Sequence, residues 1–192
     1  ADILLYKPDF VPVGKDQLPH LELTRELARR FNDIYKTAVF PEPKEHLTKF
    51  PKVLGTDGRK MSKSYNNTIN LSDTEPVVRQ KLKTMVTDPA RVRRTDPGNP
   101  DLCPVYEFHN IYSPQEVKDQ VNTDCRSAAI GCIDCKKLVA DRIIDQLAPI
   151  WDKRAKLTQE PSRVNEIVEF GSKRAAAVAS ATLREVNEAM KI

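Results

Sequence analysis

An α/β chain that becomes predominantly helical after its first third is predicted by three features. Val11-Pro12-Val13-Gly14 is a short apolar strand that passes through a glycine turn into a segment of helical period. Gly58–Asn67 (GRKMSKSYNN) is a polar, cationic loop. From Leu71 to the end the apolar residues recur at helical spacing. A strand–turn–helix unit with glycine at the turn is where doubly wound sheets bind ligands. The expectation is therefore part of such a sheet in residues 1–70 and a helical domain in 71–192.

Taken in order, Ile3-Leu4-Leu5-Tyr6 is an apolar run that reads as a buried strand. The chain begins on it directly, without Met, and a domain seldom starts inside a core strand. A helix is expected from Asp16, with Asp16 as N-cap, Pro19 in the first turn and an apolar face of Leu21, Leu27, Ala28, Phe31, Ile34 and Tyr35. Residues Pro41–Pro51 are proline-rich and charged, so a surface loop is expected there. Lys52-Val53-Leu54 then forms a short strand leading to the cationic loop.

A second helix should start near Leu71–Pro76, capped by Ser72 or Asp73, with Val77, Val78, Leu82, Met85 and Val86 inward. Thr87–Pro100 is a loop or hairpin carrying Arg91, Arg93 and Arg94, a grouping suited to phosphate contact. Ser113-Pro114-Gln115-Glu116 has the form of a capping box opening one short helix between Cys103 and Cys125. A long helix over 133–157, with Leu138, Val139, Ile143, Leu147 and Ile150 inward, should be interrupted near Pro149. Another starts at Pro161-Ser162 with Val164, Ile167, Val168 and Phe170 inward, and Gly171 is expected to break it.

Composition sets limits on function. Lys and Arg number 31 against 27 Asp and Glu, and a surplus of +4 does not by itself argue for a polyanionic partner. No apolar run approaches the roughly 20 residues of a membrane span, and no charged-then-apolar leader opens the chain. A soluble, cytoplasmic protein is expected.

Within the cationic loop, Lys60-Met61-Ser62-Lys63-Ser64 sets two ammonium groups three residues apart. Such groups act as point charges for phosphate oxygens and can stabilise a polyphosphate as negative charge grows on it. The four cysteines, Cys103, Cys125, Cys132 and Cys135, have the spacing C-x21-C-x6-C-x2-C. Three readings stand open: unlinked thiols, a zinc site, or a [4Fe–4S] cluster. All-cysteine zinc sites usually show two short-spaced pairs, whereas one pair with two outlying cysteines suits the larger cluster. Cys132 and Cys135 open a helix, where a thiol pKa is ordinarily lowered.

Lys60–Ser64 is, letter for letter, the KMSKS signature, and it resembles the class I aminoacyl-tRNA synthetases. The flanks Ala1–Tyr6 (ADILLY), Val11–Gln17 (VPVGKDQ), His20–Arg25 and Arg30-Phe31-Asn32 resemble the tryptophanyl members over the whole chain. The cysteine spacing is similar to that of a bacterial subset bearing a [4Fe–4S] cluster. The resemblance implies a Rossmann-like catalytic part followed by an anticodon-binding helical domain. It also implies activation of tryptophan with ATP and Mg2+ and transfer to tRNA(Trp).

Lys60 and Lys63 would be catalytic, and Met61, Ser62 and Ser64 would hold the ATP-binding loop. Gly14 and Asp16 would contact ATP, and Asp2 and Gln17 would contact tryptophan. Arg91, Arg93 and Arg94 would contact tRNA. The family's earlier nucleotide motif, His-x-Gly-His, has no match around His20, His46 or His109. The chain is therefore expected to be the C-terminal part of a homodimeric enzyme, inactive without its N-terminal half. A tyrosyl-type enzyme and a non-catalytic, cluster-bearing tRNA-binding module are the alternatives.

Overall fold

The computed structural model describes residues 2–47, 50 and 53–192. The chain divides into two compact units, Ala1–Lys52 with Glu160–Ile192, and Val53–Gln159.

In the first unit, β1 (Phe10–Val13) leads through a 3-10 turn, Lys15–Gln17, into α1 (Leu18–Tyr35). The chain then returns as β2 (Lys44–Leu47), parallel to β1 with Phe10 opposite Lys44 and Val13 opposite Leu47. Two parallel strands joined by a helix are the expected βαβ element. Pro19 lies in the first turn of α1, where its missing N–H costs nothing. Asp16 is not the cap; it lies inside the preceding 3-10 turn, whose N-cap position is Gly14. Lys36 closes the helix in the left-handed conformation, and the Thr37 N–H donates to Asn32 O at 2.9 Å. Asn32 then fixes the way back to β2 by exchanging two bonds with the backbone of Phe40, at 2.8 and 3.2 Å.

Several expectations fail in this unit. Leu4–Tyr6 is a 3-10 turn and not a strand, with Tyr6 N–H donating to Ile3 O and Lys7 N–H to Leu4 O, both at 3.2 Å. Those local bonds use backbone groups that a strand would offer to a neighbour. β2 occupies part of the segment expected as loop; its side chains are exposed, so no hydrophobic alternation marked it. Leu21 and Ala28 of α1 are buried, but Leu27 and Ile34 are more than half exposed. α6 (Pro161–Met190) runs unbroken through Gly171, and Val164, Ile167, Val168 and Phe170 are exposed rather than inward. It packs on the Leu4–Tyr6 turn, beside an ion pair of 2.7 Å between Lys7 and Glu185.

The second unit is helical: α2 (Glu75–Thr84), α3 (Pro104–Tyr112), α4 (Gln115–Arg126) and α5 (Cys132–Gln159). α2 and α3 pack on α5, and α4 packs on α3. Val78, Leu82 and Met85 meet Val105 and Phe108, and Val139, Ile143 and Leu147, in one core. The cap of α2 is Thr74, neither Ser72 nor Asp73; Asp73 instead accepts the Asn70 N–H and pairs with Lys81. Val77 and Val86 face outward.

Two helices, not one, lie between Cys103 and Cys125, and no capping box forms at Ser113. Its hydroxyl oxygen lies 2.8 Å from Nδ1 of the buried His109, a partner seen only in three dimensions. α5 continues from Cys132 to Gln159 with Pro149 inside it; Leu138 and Ile150 are exposed. Leu54 forms only an isolated bridge to Lys60, and Lys52 lies outside the described residues.

Candidate functional site

The lysine loop is built on a small hairpin. Gly55 N–H donates to Arg59 O at 2.7 Å and Met61 N–H to Val53 O at 3.0 Å, turning the chain at Asp57-Gly58. Gly58 has φ of 80°, a left-handed conformation that a side chain would strain. Val86 N–H donates to Thr56 O at 3.0 Å and ties the hairpin to the end of α2. Met61 is the apolar anchor, packed with Val53 and Ile69 against the helical core.

Lys60 and Lys63 on either side of Met61 are exposed. Ser62 caps a 3-10 turn, Lys63–Tyr65, by accepting the Ser64 N–H at 3.3 Å, and the turn ends at Asn66 in the left-handed region. Below this turn Asn67 is buried, donating to Asp57 Oδ1 at 2.7 Å and to Lys60 O at 3.2 Å while accepting the Ser62 N–H at 2.8 Å. The Asn67 amide, with Arg59, holds the Asp57 carboxyl down at about 2. The result is a firm base carrying two outward cations, suited to meeting phosphates.

In the other unit, Gly14 is extended at the end of β1, and Asp16 and Gln17 stand exposed on the 3-10 turn that opens α1. Gln17 N–H donates to Gly14 O at 2.9 Å, and its side-chain amide to Asp16 Oδ2 at 3.4 Å. These three residues share one corner of the βαβ element. Asp2 precedes the Leu4–Tyr6 turn and is exposed.

The four cysteines lie near enough to influence one another electrostatically, although the last stands 32 positions after the first. Cys103 is the N-cap of α3, Cys125 lies in the last turn of α4, and Cys132 and Cys135 begin α5. Burial, reinforced by the other three thiols, pushes Cys135 up to about 12; burial also pushes Cys125 up. The lowering expected of a helix N-terminus is thus reversed at Cys135, because desolvation of the thiolate outweighs the dipole. Gly98 makes room for Cys125, since a Cβ there would lie 2.6 Å from the sulfur. Arg91 lies 3.8 Å from the same sulfur and donates to Ile130 O at 2.7 Å.

Arg94 donates to Ala128 O and Ala129 O at 2.7 and 3.0 Å. Both guanidiniums therefore fasten the segment leading to Cys132, a role that a loop of arginines does not announce in sequence. Among the described residues no group of three or more His, Cys, Asp or Glu side chains is placed to hold a metal ion. An open cleft of about 410 Å³ lies beside Cys132, lined by Thr87, Arg91, Arg93 and Arg94 among others.

Residues 1–148 match the family model described as tRNA synthetases class I (W and Y). The chain belongs to this family. Among similar proteins, the tryptophan–tRNA ligase of Thermotoga maritima is 50% identical over the whole of this chain, which covers 58% of that protein. That of Aquifex aeolicus is 44% identical, again over all of the chain and 49% of the relative. The chain thus spans about half the length of the curated relatives it matches.

A solved structure of Campylobacter jejuni tryptophanyl-tRNA synthetase, complexed with ADP and tryptophan, superposes with a TM-score of 0.79 at 27% identity. It is matched over all of this chain and 59% of its own. The enzyme from Aeropyrum pernix gives 0.62 at 30% identity, over 92% of this chain and 44% of its own. In this class I synthetase chain, Asn67, Gly55 and Gly98 have roles that depend on burial and close approach and that the sequence does not announce. The Asn66-Asn67 pair was visible as a loop boundary, but nothing in the string distinguishes a solvated Asn from a buried one.

Proposed function

We propose that the chain is part of a tryptophan–tRNA ligase, with residues 1–70 serving its catalytic domain and residues 71–192 its anticodon-binding domain; these functional bounds differ from the compact units, since the lysine loop folds within Val53–Gln159 and α6 belongs to the unit that holds β1. The observation that carries this reading is the lysine loop, an apolar Met61 anchor with an exposed ammonium-bearing residue on each side. In the proposed reaction the tryptophan carboxylate attacks the α-phosphorus of ATP, tryptophanyl-adenylate forms and pyrophosphate leaves. The 3′-terminal ribose of tRNA(Trp) then takes the acyl group. Such chemistry asks for positioning and charge stabilisation rather than covalent work by the protein.

Lys60 and Lys63 would stabilise the leaving pyrophosphate with Mg2+, while Met61, Ser62 and Ser64 fix the loop. Gly14 and Asp16 would receive the ribose of ATP, and Gln17 the polar backbone groups of tryptophan. Asp2 would accept the indole N–H, rejecting a side chain that lacks it. The tRNA-phosphate role is best supported at Arg93, since the guanidiniums of Arg91 and Arg94 are turned to carbonyls of their own chain. Because the family description covers two amino acids, the decisive test is ATP–pyrophosphate exchange by the full-length protein with tryptophan and with tyrosine. Exchange with tryptophan alone is expected; exchange with tyrosine alone would establish the tyrosyl alternative. tRNA binding without exchange on either would leave a non-catalytic binding module.

Cys103, Cys125, Cys132 and Cys135 would hold a [4Fe–4S] cluster. A donor set of four thiols suits iron and sulfide, and the space at Gly98 seats the Cys125 sulfur. A single zinc ion fits less well, since all-cysteine zinc sites usually show two short-spaced pairs and this set has one, Cys132/Cys135. When bound, the cluster would cross-link the starts of α3 and α5 to the end of α4. About four iron and four sulfide per chain after anaerobic purification are expected; zinc instead would overturn this assignment.

A further inference from the structure

Asn67 is 2% exposed, although the four residues before it, Lys63–Asn66, are exposed. A buried carboxamide is unfavourable unless its donors and acceptor are met, and here they are met within the loop itself. Its Nδ2 donates to the Asp57 carboxylate and to Lys60 O, its Oδ1 accepts from the Ser62 N–H, and its backbone carbonyl accepts from the Thr56 N–H at 3.0 Å. Gly55 makes the seat, since a Cβ at that position would lie 2.2 Å from Asn67 Nδ2.

The partners are distributed in a telling way. Lys60 O and Ser62 N–H flank Met61, so one side chain grips the backbone on both sides of the apolar anchor. Ser62, held by its N–H, in turn caps the 3-10 turn that begins at Lys63. The direction of each lysine is therefore set by a chain of bonds that starts at Asn67.

We propose that Asn67, seated on Gly55 and braced by Asp57, is the positioning residue of the lysine loop. It does not touch the substrate; it fixes where Lys60 and Lys63 stand when charge develops on the leaving phosphates. This rests on the reading of those lysines given above. Misplacement of charged groups by about 1 Å can cost on the order of 100-fold in rate, so N67A is expected to lower kcat for tryptophan-dependent pyrophosphate exchange by about that factor. The KM for tryptophan should stay within about twofold, since tryptophan is not bound by these groups.

The test is a mutant cycle in the full-length protein, with active sites counted by adenylate burst. Because Asn67 acts through the lysines, N67A should cost little more in a K60A/K63A background than K60A/K63A costs alone. A merely structural role would instead show the full N67A loss in both backgrounds. That additive result, or an N67A enzyme within about twofold of wild type, overturns the inference. A wild-type protein without exchange overturns the underlying reading and not this step alone.

If N67A does not fold, D57A decides. It removes the carboxylate that braces the Asn67 amide and leaves both lysines in place. A loss of kcat in D57A that disappears in the K60A/K63A background supports the inference, and a D57A enzyme within about twofold of wild type overturns it.

Discussion

At the scale of single residues, the loop separates charge that works from charge that holds. Lys63 lies exposed on a capped turn, so its removal should leave the loop folded. Lys63→Ala is expected to slow adenylate formation by about 100- to 1000-fold, the range for losing one preorganised stabiliser, with the tryptophan KM unchanged. Lys63→Arg should recover only part of that, because a rigid planar fork replaces a compact point charge. Rapid-quench measurement of adenylate checks both, and an unaltered rate for the alanine variant would remove Lys63 from the mechanism.

Asp57 is a holding charge. Its folded pKa, about 2, lies below the usual carboxylate range because the Asn67 amide and Arg59 favour the ionised form. A depressed carboxylate stabilises the fold above its unfolded pKa, and the contribution is lost as pH falls through the folded value. Amide exchange at Ser62 should therefore be slower in wild type than in D57N at neutral pH, with the difference closing between about pH 4 and about 2. The KMSKS letters made the two lysines legible in sequence. Asn67 was not legible, because its importance is a matter of burial and of the space left at Gly55.

At the scale of elements, legibility followed packing. α2 was read from Val78, Leu82 and Met85, whose spacing is that of a face pressed on α5, and all three are buried. β2 was misread because its four side chains are exposed and it follows Pro43, so it carried turn chemistry and no alternation. The cap at Ser113 failed because a hydroxyl is promiscuous, and the buried His109 offered a partner invisible along the chain. Gly171 failed for another reason: glycine weakens a helix without necessarily ending it. A Cβ at Gly171 would meet nothing within 4 Å, and the position lies inside α6. Gly171→Ala should therefore stabilise by about 1 kcal/mol through the lower helix propensity of glycine. Thermal unfolding followed by circular dichroism checks this, and a lowered midpoint would contradict an open, helical site.

At the scale of the whole molecule, the core of the second unit comes entirely from its own residues. Val78, Leu82, Met85, Val105, Phe108, Val139, Ala140, Ile143, Ile144 and Leu147, with Trp151 packed against them, all fall within 53–159. The first unit instead joins two distant stretches, with α6 returning to the Leu4–Tyr6 turn, an association that neither segment announces in sequence. A core supplied by one continuous stretch does not depend on closing a long loop, so residues 53–159 expressed alone are expected to fold cooperatively.

The chain has a single tryptophan, Trp151, whose indole N–H donates to Leu71 O at 3.1 Å, within the same unit. Its fluorescence therefore reports this unit selectively, in the isolated segment and in the intact chain alike. Leu82 is fully buried, and Leu82→Ala should cost about 2–5 kcal/mol, moving the tryptophan-detected urea midpoint down by the same free energy in both. A segment without a cooperative transition would show that the unit depends on the rest of the chain. A Leu82→Ala effect present only in the intact chain would place part of its support outside 53–159.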